Sequence, residues 1–267
     1  MGRNDFVLAH DNYHSLDANR AFMSRGQYLD FLKCEAATVA SLRGEWVEGA
    51  STALLVGSYV HSWNENKRSE FIAEHPEMFK RDLSLKADYA LADKMIETLQ
   101  NDQLAMYTLE GEKEVILVAE MFGCWWKVML DAYNPERQRI ADLKTTRSIT
   151  EHYWNGEFKT KVSFVEQYNY VTQAAVYCEA ERIAHGREPG DWYDFYIVAV
   201  SKQDYPDKAV IDMRGPERYV VELAEIETNM PRILAVKNGK AEAKRCENCN
   251  YCRATKQLTG TIHYSEL

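Results

Sequence analysis

The chain has 267 residues, of which 46% are hydrophobic and 27% charged, enough apolar material for one sizeable core with small appendages. Its 41 acidic and 32 basic residues give a formal charge of -9, which excludes a protein that coats nucleic acid indiscriminately but leaves room for a local basic channel. No apolar run is long enough to cross a bilayer, and the first thirty residues lack the basic start and apolar stretch of a secretory signal, so the expectation is a cytoplasmic protein without a membrane partner.

Residues 1–22 are polar, rich in His, Asn and Asp and without clear periodicity, and predict a flexible leader. From Ser24 the pattern becomes helical: SRGQYLDFLKCEAATVASLRG spaces Tyr28, Phe31, Leu32, Ala36, Val39 and Ala40 along one helix, with Ser24 as N-cap and Gly44 at the stop. TALLVGSYVHSWNEN predicts a second helix. Beyond a turn at Pro76, residues from about Ser84 to Gln100 predict a third. β-branched and aromatic residues then dominate: EVILVAEMFG and CWWKVMLDAYN flank a turn near Gly123, and QRIADLKTT follows a hairpin turn at Asn134-Pro135. The long segment VSFVEQYNYVTQAAVYCEAERIAHG predicts one helix ended by Gly186. Two strands follow, DWYDFYIVAVSK and KAVIDMR, and then a helix that Pro231 interrupts or re-caps. This order predicts an α/β or α+β core with additional N-terminal and C-terminal helices: one domain over 23–258, which includes a cysteine-bearing stretch at 244–258, and a tail at 259–267.

Asp131 ends KVMLD, and Asp142-Leu143-Lys144 ends RIADLK on the neighbouring strand. Because strand side chains alternate, Asp142 and Lys144 share a face while Leu143 turns to the core, and a hairpin can bring Asp131 beside them. Two carboxylates offer hard oxygen ligands for Mg²⁺, with Mn²⁺ as the alternative ion, and the ammonium suits a phosphate or a nucleophilic water. Glu120, at the end of ILVAE, is a candidate third ligand or water orienter. Charged residues also end strands simply because they face solvent, so D-x10-D-x-K alone does not decide between the two readings.

Its companions sharpen the pattern. Gly57 and His61 in GSYVH are four apart on one helical face, which suits close packing plus an imidazole ligand; a surface ion pair is the alternative for His61. Gln173 and Tyr177 likewise share a face, as a pair of hydrogen-bonding contacts to a DNA backbone or as a half-buried stripe. Trp125 and Trp126 are adjacent in a strand and face opposite sides, one for the core and one for an interface or a frayed base.

GSYVH, Asp131 with DLK ending at Lys144, and QAAVY together resemble the histidine, metal-lysine and glutamine-tyrosine motifs of the RecB-like branch of PD-(D/E)xK nucleases. The stretches FLKCEAATVASLRGE, TALLVGSYVHSW, GCWWKVMLDAY, RIADLKTTRSITEHYW, QYNYVTQAAVYCE and RCENCNYCRATKQL resemble phage and prophage RecE-like proteins described as exodeoxyribonuclease VIII, over roughly residues 22 to 258. The resemblance implies a restriction-endonuclease-like core and a Mg-dependent exonuclease that degrades linear duplex DNA 5′ to 3′, leaving 3′ single-stranded tails for a phage single-strand annealing protein. It further implies a homo-oligomer of unspecified stoichiometry working in the cytoplasm of a bacterial host. On this chain it makes His61, Asp131 and Asp142 the metal ligands, Lys144 the catalytic lysine, and Gln173 and Tyr177 substrate contacts, with Glu120 carried over as an accessory. A structure-specific or single-strand nuclease, or an inactive DNA-binding recombination factor, is the alternative. The proline that often adjoins the first aspartate is absent; Ala132 follows Asp131.

Cys246, Cys249 and Cys252 form C-x2-C-x2-C, one ligand short of a four-thiolate site, and Cys34 is the candidate fourth. The arrangement resembles the iron-sulfur staple of AddB-type and CRISPR-associated nucleases, although their late spacing is C-x2-C-x5-C. A [4Fe-4S] cluster, structural Zn²⁺ and free thiols all remain open. Cys124 and Cys178 read as small buried apolar residues. Lys244, Arg245, Arg253 and Lys256 form a local basic patch, for DNA phosphates or for solvent.

Overall fold

Two consecutive residues with positive φ, Phe122 at 52° and Gly123 at 81°, close the hairpin expected at Gly123. They join β1 (Val115–Met121) to β2 (Cys124–Leu130) in a two-stranded sheet. The computed structural model describes residues 6–49, 52–156 and 159–266. These form two compact units: a larger one from 49–121 and 125–226, and a smaller one from 1–48, 122–124 and 227–267.

The larger unit begins with α4 (Thr52–Asn64), following α1 (Leu16–Ala21), α2 (Arg25–Lys33) and α3 (Glu35–Arg43) of the smaller one. Then come α5 (Arg68–Glu74), α6 (Ala87–Gln100), α7 (Gln103–Thr108) and the β1–β2 hairpin. β3 (Ala132–Asn134) and β4 (Arg139–Thr146) form the second expected hairpin, closed by a 3-10 turn in which Asn134 Oδ1 accepts the Arg137 amide at 3.1 Å. After β5 (Tyr153–Asn155), β6 (Thr160–Val162), α8 (Phe164–Gln167) and α9 (Tyr170–Ala184), the chain returns as β7 (Asp194–Ser201) and β8 (Lys208–Asp212). The four-stranded sheet has the order β3-β4-β7-β8. β4 runs parallel to β7 from Arg139↔Asp194 to Thr146↔Ser201, and both edge strands are antiparallel to their neighbours. α10 (Pro216–Lys237) and α11 (Asn250–Ala254) complete the elements.

Strand alternation divides the sheet's two faces. Ala141, Leu143, Val198 and Val200 turn to a core shared with Tyr59, Val60, Met95 and Leu99 of α4 and α6. Asp142 points the other way, toward Gln173 of α9. At Gly57, where α4 passes β4, a Cβ would meet Thr145 Oγ1 at an ordinary 3.5 Å, so the approach does not require glycine there. Gly111 is under a harder constraint: its φ is +138° and a Cβ would lie 2.3 Å from the Tyr133 carbonyl oxygen. Its absence of a side chain lets Glu112 and Tyr133 exchange two backbone hydrogen bonds at 2.8 Å, which hold the start of β3.

Three expected helices differ. The first breaks at Cys34, whose φ of -163° and ψ of 102° are extended, so α2 and α3 are separate helices, capped as expected by Ser24 and by left-handed Gly44. The long helix breaks at Asn169, which takes φ 53° and ψ 41°; Asn tolerates this left-handed region because its short polar side chain bonds locally. α10, by contrast, runs through Pro231. Pro231 is exposed, and on a helix's solvent side water can serve the carbonyl that loses its partner. β5, β6, α7 and α11 were not expected; they are short, and α7 is marked only by Asp102, whose carboxylate accepts the Ala105 amide.

Of the leader, residues 1–5 lie outside the described residues, as does residue 267 of the tail. Residues 6–22 contain α1, capped by Ser15, with Tyr13, Ala18 and Phe22 buried. Within the smaller unit Lys237 Nζ donates to the carbonyls of Asn19 and Phe22 and to Gln27 Oε1, at 2.6–2.9 Å. No described helix is long and apolar enough to cross a membrane.

Lys127 of β2 is 2% exposed, and burial lowers its ammonium pKa to about 8. The unfolded chain, with an ordinary lysine pKa of ~10.4, therefore binds more protons than the folded one between those values, and stability rises with pH across that window. Urea midpoints at pH 7 and pH 10 should show this gain in the parent relative to Lys127→Met; equal pH slopes would contradict it.

Candidate functional site

Pairing between β3 and β4 starts at Ala132–Ala141. Asp131, at the bend between β2 and β3, uses its own side chain just beyond that pair: Oδ2 accepts the Leu143 amide at 2.8 Å. The same oxygen lies 3.4 Å from His61 Nδ1 of α4. Asn64, one turn after His61, donates to the Asp131 carbonyl at 3.1 Å and accepts Lys113 Nζ at 3.0 Å, which fixes the bend from behind.

Asp142, 3% exposed, accepts Gln173 Nε2 on Oδ1 at 2.6 Å. Its other oxygen, Oδ2, lies 2.6 Å from Lys144 Nζ. The two form a largely buried, charge-assisted contact that opposes the charge on Oδ2. Lys144 Nζ also sits 4.9 Å from the centre of the Tyr170 ring, a favourable cation–π distance. Thus Asp131, Asp142, Lys144, His61 and Gln173 converge. Tyr177, one turn beyond Gln173 on α9, packs edge-on against Phe195 with ring centroids 6.2 Å apart, at the level of Ile140. Glu120 is exposed on β1, and the charges acting most strongly on Asp131 are Asp142, His61 and Lys144 instead.

Burial and the neighbouring Asp142 push the Asp131 carboxyl above the ordinary range, against the opposing pull of His61 and Lys144. Burial also works against the Lys144 ammonium, yet Asp142 and Asp131 outweigh it and hold its pKa above that of an ordinary lysine. The site thus sets two carboxylates, Asp131 and Asp142, against one lysine. Two largely buried carboxylates beside an imidazole offer donors that fit a hard divalent cation in chemistry and in charge.

Several neighbours were not anticipated. Glu65 is four residues after His61, and its amide bonds to the His61 carbonyl at 3.0 Å, which continues the helical face. Burial first, then Glu114 and, more weakly, Asp131 raise its carboxyl to about 7. The H-x3-E spacing was the available signal. Tyr170 was hidden because the break at Asn169 sets where α9 begins. From it an aromatic row runs through Tyr168 to Tyr153 with successive centroid distances of 5.8 Å, and Arg147 lies 5.4 Å over the Tyr153 ring. Trp154, beside Tyr153 on β5, is exposed. Of the tryptophan pair, Trp126 is fully buried and Trp125 half-buried.

In the smaller unit, Cys34, Cys246, Cys249 and Cys252 come together with sulfurs all within 4.8 Å of one another, a set able to hold a metal ion. Cys178 is buried and Cys124 half-buried, both outside this group. Arg245 and Arg253 are committed locally: Arg245 donates to the Cys252 carbonyl and Thr255 Oγ1, and Arg253 to the Asn248 carbonyl and Asn250 Oδ1.

Residues 24–255 match the family model described as "PDDEXK-like domain of unknown function (DUF3799)". A crystal structure of a protein described as a "Putative exonuclease" from Eubacterium rectale superimposes with a TM-score of 0.90 at 36% sequence identity, covering 98% of each chain. A second solved structure, of a protein designated SSO0001, is matched over 85% of this chain and 96% of that one at 15% identity and a TM-score of 0.30, a similarity that carries no inference. No curated protein matches significantly.

Proposed function

The chain belongs to the family described as a PDDEXK-like domain of unknown function (DUF3799), and we propose that it is a Mg²⁺-dependent DNA exonuclease of RecE-like type, acting on linear duplex ends. The carrying observation is the convergence of Asp131, Asp142 and Lys144, with Gln173 fixing Asp142 from α9. Similarity to a protein itself described as an exonuclease supports the reading.

Asp131, Asp142 and His61 are the residues that would hold the cation. Bound there, a divalent cation supplies Lewis-acid charge to the scissile phosphate and lowers the pKa of an attacking water. Gln173 occupies Asp142 Oδ1 and so fixes the carboxylate's rotation, leaving Oδ2 toward Lys144 and the ligand site. A lysine kept charged by two aspartates suits a point-charge role on the phosphate better than a role as base. Tyr170 backs the ammonium, and the row from Tyr170 to Tyr153, with Arg147 and exposed Trp154, offers rings and a cation to bases and backbone of the strand being cut. Tyr177 joins Gln173 as a substrate contact. The sense of digestion is 5′ to 3′, the product a 3′ single-stranded tail taken by an annealing protein, and the working form a cytoplasmic homo-oligomer.

Linear duplex labelled at either its 5′ or its 3′ ends, compared with covalently closed circular duplex in Mg²⁺, tests this reading. The expected result is early release of the 5′ label, late release of the 3′ label and an intact circle. Cutting of the closed circle at a comparable rate would replace the end-directed reading with an endonuclease.

A further inference from the structure

Cys34 owes its position to the break between α2 and α3, where one extended residue turns its side chain out of what would otherwise be a continuous helix. The late cysteines are gathered just as tightly. Glu247 takes φ 61°, which folds the chain back so that the Cys249 amide donates to Cys246 Sγ at 3.3 Å. Cys249 caps α11, its Sγ accepting the Cys252 amide at 3.4 Å. Such N–H···S bonds strengthen when the sulfur carries negative charge, as a metal-bound thiolate does.

The sulfur separations discriminate between centres. Cys34 and Cys252 sulfurs are 3.6 Å apart and those of Cys246 and Cys252 3.9 Å. No pair exceeds 4.8 Å. One ion with four Zn–S bonds of ~2.3 Å at tetrahedral angles sets its sulfurs about 3.8 Å apart. A [4Fe-4S] cubane bonds each thiolate to a different iron, which spreads the sulfurs to about 6 Å or more. A disulfide requires ~2.05 Å. The four thiolates thus surround a space for one atom and are too close for a cluster of eight. The three-residue repeat of C-x2-C-x2-C accounts for the crowding of the late cysteines, since the sulfurs of Cys246 and Cys249 each accept the amide of the next cysteine.

We infer that Cys34, Cys246, Cys249 and Cys252 bind a single tetrahedral Zn²⁺, and not an iron-sulfur cluster. The ion's role is structural: all four positions are filled by protein, which leaves no open site for water or substrate. It ties α2, α3 and the loop before α11, already joined by Glu35 accepting Arg232 and the Lys244 amide at 2.7–2.9 Å.

The full chain, produced in medium containing both iron and zinc and purified without oxygen or chelator, provides the test. Expected are about one zinc per chain, no acid-labile sulfide, and no charge-transfer absorption in the visible. Replacing the zinc with Co²⁺ should give intense red-region d–d bands of a tetrahedral four-thiolate site, reduced in Cys246→Ser, a change at one of the two half-exposed cysteines. Iron with sulfide, iron without zinc, or four thiols that titrate freely with no metal would each overturn the assignment. Both metal analyses are read on the parent protein, so a variant that fails to fold does not affect them.

Discussion

Asp142→Asn and Lys144→Ala should each lower the rate of linear duplex digestion in Mg²⁺ by about 10³-fold or more, equivalent to ~4 kcal/mol of barrier. The two losses have different causes. In Asp142→Asn the new amide oxygen can still accept from Gln173 Nε2, so the contact between β4 and α9 survives while one ligand charge disappears. Its defect should include weaker Mg²⁺ binding, measurable by calorimetry. Lys144→Ala removes the only lysine paired with Asp142 among the described ion pairs, and should retain or tighten cation binding while losing turnover. End-labelled digestion, with thermal melting to confirm folding, checks both. Retained turnover in both variants would remove these residues from the catalytic site.

Glu181→Ala should destabilise the protein by about 2–3 kcal/mol, because it removes the acceptor shared by a buried hydroxyl and a part-buried guanidinium. Glu181 is fully buried near the end of α9. It accepts Tyr133 Oη at 2.8 Å and both Arg187 Nη atoms, and it lies 3.1 Å from His185 Nδ1. Arg187 in turn sits 3.9 Å over the Tyr193 ring. Without the carboxylate the buried Tyr133 hydroxyl loses its acceptor, and the part-buried Arg187 guanidinium keeps only Asp191 as a polar partner among the described residues. Glu181→Gln, which keeps an acceptor oxygen, should lose less. Urea unfolding of the three proteins measures the order, and equal midpoints would refute the role given to this network.

The strands were legible because apolar alternation and turn residues agree there: Gly123, Asn134-Pro135 and the Asp142/Leu143/Lys144 alternation all reappear in the hairpins and sheet faces. Legible too were His61 and Gln173, whose i,i+4 neighbours marked a face. The breaks were not. Cys34 and Asn169 interrupt helices with single residues that a helix interior also accepts: Cys34 takes extended angles and Asn169 the left-handed ones its type tolerates, and neither has a Gly or Pro beside it to mark the break. Pro231 shows the opposite error, since a local breaker is tolerated where the helix faces water. Glu120 drew attention by ending an apolar run, yet its position on β1 leaves it exposed, while Glu65, which follows the apolar stretch of α4, is the carboxylate whose ionisation is tied to Asp131. Membership in a strand says which face a residue takes, and nothing about which strand lies across from it.

The smaller unit is assembled from both ends of the chain, with Cys34 meeting a partner 218 residues later. During synthesis α2 leaves the ribosome long before α10 exists, so Tyr28, 2% exposed in the folded unit, waits for Asn229, whose amide donates to its hydroxyl at 3.0 Å. The apolar side of α2 is therefore completed by a partner made roughly two hundred residues later, which makes closure of this unit a late event in its folding.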